Sequence, residues 1–404
     1  MHLPFRSQAS AQECPEPSFP EDISFDDNHK PDFVVIPSED GVADLKNKVL
    51  EEVFKSLEDP NIEREQLEEM LRFHAHTGPA SQSLDPYMDN IEERMEILKW
   101  MKTASFKMSN VPGDKTTTKI NPELITTLVW ASFVLAPIEV LRAWRTRHRR
   151  GECMKDLLSV IEDLGYHLPR LVKSFGRRND CPKIEDEIVR ARDGDVCPLT
   201  KVENRFGDND DTTIMYHIHP FSNEAVLEQT HAALKVLSCF WGCDFTTRCR
   251  KLLTKSGLED PKNIVTLSLV AVPGLKEGFC TIEPLSVSAD GLTMRARHRL
   301  LRFSNLIESE SATVSLDEDP RDVLQPRFMM DLYFPVRLVQ VRTNQVIHDG
   351  FEFEITSDDP ETLPSSDLLE LQHRVFMITA LSGLLDTSIL SRDEASEGFD
   401  PRSD

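Results

Sequence analysis

The residues best suited to chemistry fall in a fixed order along the chain. First comes Arg192-Asp193-Gly194-Asp195-Val196-Cys197-Pro198-Leu199-Thr200, then Tyr216-His217-Ile218-His219-Pro220-Phe221, and later Asn263-Ile264-Val265-Thr266-Leu267. A histidine presented at a strand end can take a proton from water, while a divalent metal beside it stabilises charge building on a phosphate. Such a site needs a base on a strand, a residue that orders the loop holding it, and a further metal ligand on the next element. His217 suits the first role and Asn263 the second. For the metal, His219 with Asp211 (or Asp210) from the preceding loop offers a ligand set for Mg²⁺, Mn²⁺ or Zn²⁺. On a regular strand His217 and His219 share one face, because side chains alternate with a period of two. A strand histidine taken alone is more often a hydrogen-bonded core residue, so order and spacing carry the argument.

That order resembles the HNH endonuclease domain, a ββα-metal nuclease module common in filamentous-fungal proteins. The resemblance rests on Arg192-Asp193 and Cys197, on His217-Ile218 with Pro220-Phe221, and on Asn263 with Leu267. It continues near the C-terminus through Gly350 to Thr356, Asp358-Asp359-Pro360, Leu363-Pro364-Ser365, Leu368 to Gln372 and Thr379 to Gly383. It implies phosphodiester hydrolysis with a divalent metal, His217 as general base and Asn263 as the middle asparagine. It also implies that Cys197 is structural. Four positions depart from the pattern: Tyr216 replaces a small residue, His219 an aliphatic one, and Lys201 a turn glycine. The last metal-ligating histidine should fall near Val272, where Leu269 to Leu275 holds neither His nor Asp. Pro273-Gly274 is expected to break the helix that would carry it.

The elements that must position these residues read as an α+β chain. Residues 1–40 are rich in Pro, Ser and acid and are expected to form a mobile tail, as are 387–404. Residues 41–180 are expected to be helical. Stripes appear at Leu45, Val49, Val53 and Leu57 and at Ile91, Met95, Leu98 and Met101. A further helix begins near Asn121-Pro122 and runs into Arg142 to Arg150, and another covers Leu157 to Phe175. Residues 184–303 form the nuclease-like block, with strands at Val196–Leu199, Met215–Ile218, Ile264–Leu269, Phe279–Ile282 and Leu292–Leu300. Helices are expected between them at Asn223–Trp241 and Thr247–Ser256. Residues 328–386 supply a hairpin turning at Thr343-Asn344, a strand near Phe351–Ile355, and a helix capped near Ser365-Ser366 and stopped at Gly383.

Composition narrows the function classes. The net charge of −23 over 404 residues argues against holding nucleic acid through the overall field. The block from Ile184 to Arg302 is nearly neutral, so a local DNA-facing surface stays open. The 8 cysteines lack a CxxC pair, which fits reduced intracellular thiols. Cys239 and Cys243, one turn apart, read as packing. No apolar core of a secretory signal opens the chain. Leu124 to Pro137 is the most apolar run, but a span needs about 20 apolar residues, so a buried helix is expected and no membrane partner. The arginines from Arg142 to Arg150 offer helix-end charges, a phosphate contact or nuclear import, leaving nucleus or cytoplasm.

Three readings follow. One is a divergent HNH module with impaired or lost catalysis. The second is an active metal-dependent DNA endonuclease based on His217. The third is an interaction or regulatory factor that uses the N-terminal helices on a nuclease-like scaffold.

Overall fold

The computed structural model describes residues 88–111, 114–176, 187–204, 212–219, 224–304, 306, 312–324 and 338–384. The expected tails, the stripe from Leu45 to Leu57 and the boundary near 180–184 lie outside these residues.

Apolar spacing accounts for the first helices. Helix α1 (Ile91–Thr103) buries Ile91, Ile97, Leu98 and Met101 along one stripe. A short antiparallel pair, β1 (Phe106–Lys107) and β2 (Thr117–Thr118), follows. The single helix expected from Asn121 onward is instead three pieces. Asn121 caps only a 3₁₀ turn at Pro122–Leu124, and Thr126 caps helix α2 (Thr127–Val134). Pro137 then precedes helix α3 (Ile138–Arg149), which turns from α2 by 96°. Proline cannot donate a helical hydrogen bond, and it favours the start of a new helix instead. Every residue of α2 is buried. Carbonyls at and just past its C-terminal end are met by Arg94 of α1, whose guanidinium donates to the carbonyls of Val134, at 3.1 Å, and of Ala136. A cation there satisfies acceptors that the helix itself cannot. No single helix among the described residues is long and apolar enough to cross a membrane.

Helix α4 (Lys155–Gly176) keeps its 22-residue length despite Pro169. Helix α5 (Glu187–Asp193) leads to strand β3 (Thr213–His217). Val196–Leu199, expected as a strand, makes only one bridge, from Val196 to Glu203, and otherwise turns. Pro198 has no amide hydrogen to give a ladder, which explains the difference. Helices α6 (Glu224–Trp241) and α7 (Cys243–Leu252) precede strand β4 (Ile264–Ser268). Strands β3 and β4 pair antiparallel, from Thr213 with Ser268 to His217 with Ile264. Helix α8 (Val272–Lys276) follows at once, so Pro273-Gly274 does not break a helix but sits in a five-residue one. Proline is tolerated in a first turn, where its missing donor would be idle.

Strands β5 (Cys280–Val287) and β6 (Thr293–Leu300) pair antiparallel, with a bulge between Pro284 and Ser286. After the short helix α9 (Pro320–Val323) come a two-stranded hairpin, β7 (Val339–Gln340) with β8 (Gln345–Val346), and strand β9 (Glu352–Thr356). Asn344 takes the left-handed conformation that the hairpin turn requires, φ 55°. Strand β9 completes the sheet order β5-β6-β9. The last helix, α10 (Ser366–Ser382), is capped by Ser365 and stopped by Gly383 at φ 81°. Helices and small antiparallel sheets together make an α+β chain.

One apolar core joins these parts. Phe133 of α2, Trp144 of α3 and Phe240 of α6 meet in pairs with ring centroids 5.2–5.6 Å apart. Helix α6 packs along α4, and α10 packs against α2, α4, α7 and β5.

Candidate functional site

The β3–β4 ribbon has two unlike faces. Residues directly opposite in an antiparallel pair point the same way, so Tyr216, Val265 and Leu267 share one face and join the main core. Thr213, Met215 and His217 share the other with Ser268, Thr266 and Ile264. This second face is buried yet polar: His217 is 7% exposed, Thr266 3% and Ser268 1%. The hydroxyls of Thr266 and Ser268 find no hydrogen-bond partner.

The ribbon is held by a knot centred on Arg192 and Asp193 at the end of α5. Their side chains are 1% and 3% exposed and pair at 2.6 Å. The guanidinium also donates to the carbonyls of Pro261 (3.0 Å), Thr362 (2.7 Å) and Ile264 (3.0 Å). Asp193 Oδ2 accepts the amide hydrogen of Thr266 at 3.0 Å. A buried ion pair is tolerable only when its remaining donors and acceptors are met, and here they are spread over α5, β4 and the segment before α10. The tight turn after it uses Cys197 as a hub. Its amide donates to the Val202 carbonyl, its carbonyl accepts from Lys201, and its sulfur accepts the Thr200 amide at 3.4 Å. Lys201, at the expected glycine position, is left-handed at φ 58°. Burial lowers the pKa of its ammonium.

Asn263 orders the loop that follows β3. Its Oδ1 accepts the His219 amide at 2.9 Å, and its Nδ2 donates to the His219 carbonyl at 3.0 Å. Its own carbonyl accepts the Ile218 amide at 2.8 Å. The loop is thereby tied to the start of β4 on three bonds, directly beside His217. Asn263 is 1% exposed, so these bonds form away from competing water. Gln372 of α10 donates from the other side to the Ile218 carbonyl.

The strand ends at His217, so His219 does not continue a regular alternation with it. The His219 ring is fully buried and lies edge-on to Phe175 of α4, with centroids 4.7 Å apart. Asp211, the expected carboxylate ligand, and Asp210 lie outside the described residues. Val272, at the position of the absent histidine, is half-buried in the first turn of α8. Among the described residues, no group of three His, Cys, Asp or Glu is arranged to hold a metal. Hard divalent ions need oxygen ligands that are charged or carbonyl, and zinc needs His, Cys or carboxylate. The described residues on the His217 face of the ribbon, Thr213, Met215, Ile264, Thr266 and Ser268, include no carboxylate, thiol or second imidazole.

The other candidates settle into packing or ion pairs. Arg142 forks onto Glu93, Arg147 onto Asp156, and Arg150 lies near Glu152. His148 sits between Trp100 and Phe106 with its Nε2 at 3.0 Å from the Ser105 carbonyl. Much of that basic run is therefore already neutralised by neighbours. Burial pushes the Cys239 thiol up to about 12, and it donates to the Val236 carbonyl, whereas Cys243 is exposed. His231 bonds the Leu253 carbonyl through Nε2 at 2.9 Å.

No family model, curated protein or solved structure matches this chain. Two functional contributions escaped the sequence reading. The Arg192–Asp193 pair gave a motif but no role. Gln372 gave one faint signal, an amide set among Leu368, Leu371 and Val375 on the apolar stripe of α10.

Proposed function

We propose that the segment from α5 to β6 is a divergent HNH-type nuclease module whose phosphodiester hydrolysis is impaired or lost, and which persists as a folded platform. The observation that carries this reading is the contrast around His217. Two hydrogen bonds from Asn263 to the His219 backbone support the loop-ordering role expected of it. The following element, where a second metal ligand is needed, offers Val272 in a five-residue helix. Among the described residues no group of three His, Cys, Asp or Glu is arranged to anchor a metal that would stabilise charge in phosphate attack. His217 alone can hold or move a proton at its imidazole, which is a small part of the barrier.

The test uses the full-length protein on supercoiled plasmid with Mg²⁺, Mn²⁺ and Zn²⁺ in turn. Nicking by wild type is expected to match that of His217→Ala under every metal. Metal-dependent nicking that His217→Ala abolishes would overturn the reading in favour of an active endonuclease.

A further inference from the structure

Buried amide side chains on an otherwise apolar helix face are costly unless they bond, and a leucine or methionine would fill the same space without that cost. Gln372 is such a residue. It is fully buried, flanked on α10 by Leu368, Leu369, Leu371, Val375 and Phe376, all of them buried. Its Nε2 donates to the carbonyl of Ile218, and its Oε1 has no partner. The bond spans 154 positions of sequence and ends on the residue between His217 and His219. Asn263 grips the amide of Ile218 through its own carbonyl and both backbone groups of His219. The Ile218 carbonyl is the backbone group of that loop that Asn263 does not reach, and Gln372 takes it.

The same stretch of chain touches the rest of the site. Thr362 accepts from Arg192, and the Ser365 amide donates to the Lys262 carbonyl at 2.8 Å, next to Asn263. Phe376, one turn beyond Gln372, meets Phe175 with centroids 5.9 Å apart, and Phe175 in turn meets the His219 ring. Backbone and ring of the loop are thus both fixed from the direction of α10.

We propose that Gln372 is a positioning residue for the His217–His219 loop, which makes α10 a working part of the candidate site rather than an appendage to it. The role concerns where the two imidazoles sit, whatever the module binds. It rests on the reading of His217 as the site's residue, but its test needs no nuclease activity and so fails or succeeds separately.

The test compares full-length wild type, Gln372→Met and, as a control about two turns further along the same helix, Thr379→Val. Ring C–H resonances of His217 and His219, assigned through His→Gln variants, are recorded by NMR at a single pH. Gln372→Met is expected to displace these resonances, and Thr379→Val to leave them in place. Unchanged resonances in a folded Gln372→Met protein would overturn the proposal, because the methionine would then show that Gln372 only packs. Should Gln372→Met fail to fold, amide exchange of wild type decides. The His219 amide is expected to exchange at rates of the same order as the α10 amides around residues 372–376. Exchange orders of magnitude faster at His219 would show the loop opening independently of α10, and would also overturn it.

Discussion

Two sets of buried polar groups sit within one ribbon of each other, and they are built differently. The Arg192–Asp193 knot and Asn263 bond to backbone groups of β4, of the loop after β3 and of the segment before α10. On the face that His217 shares, Thr266 and Ser268 are buried with hydroxyls that have no hydrogen-bond partner among the described residues, and Val272 follows them. A satisfied buried network specifies a unique arrangement, whereas an unsatisfied group only costs stability. The frame of groups that holds the His217 loop is therefore satisfied, while the groups on the face His217 shares with Thr266 and Ser268 are not.

Breaking the frame should have the largest effect. Arg192→Met strands the Asp193 carboxylate and three carbonyls, and loss of one partner of a buried pair costs about 3–5 kcal/mol. Urea unfolding of the variant would measure this, and a loss below about 1 kcal/mol would remove the distinction between the two sets.

His298 extends the unsatisfied set into the β5-β6-β9 sheet. It is fully buried, its Nδ1 lies 3.4 Å from the His348 carbonyl, and its Nε2 has no partner. Burial lowers its pKa to about 4, partly offset by that carbonyl and Asp349. The unfolded chain binds this proton near the ordinary histidine value of about 6.5, before the folded one does. Stability is thus lost as pH falls from that value toward 4, by an amount on the order of 3 kcal/mol at most. His298→Leu should flatten this part of the stability curve; denaturant midpoints of both proteins from pH 7 to 4 would show whether the slopes differ.

Removing an unsatisfied hydroxyl should act in the opposite direction from breaking the frame. Thr266→Val keeps the shape and deletes the unpaired group, with an expected gain of about 1 kcal/mol. A comparable loss would place Thr266 with the satisfied set instead. The smallest effect is expected at Lys201, whose left-handed backbone at φ 58° favours glycine. Lys201→Gly should gain less than about 1 kcal/mol, read from the same unfolding curves.

Much of this was legible in the sequence. Ser365 and Gly383 marked both ends of α10, Thr343-Asn344 marked the β7–β8 hairpin, and the apolar run through α2 marked a buried helix. These signals are local, because capping, turn conformation and hydrophobic period depend on neighbours within a few residues. The pairing of Asn263 with the His217 loop was expected from the resemblance to the HNH pattern, and the structure places the two side by side. Pro273-Gly274 was expected to break a helix because Pro and Gly signal a break equally well in a helix's middle and at its first turn, where they sit in α8.

Only the tertiary structure decided which distant groups complete the site. Arg192 reaches Thr362 across 170 positions and Gln372 reaches Ile218 across 154. Neither pairing has a local signature, since it exists only once separate elements have packed and a buried carbonyl is left wanting a donor. The sequence by itself determined the α+β class and those element ends marked by a local cap or turn, such as Ser365 and Gly383 of α10. Burial then determined which of those residues are held in place and which are left without partners, because the cost of an unmet polar group arises only where water has been removed.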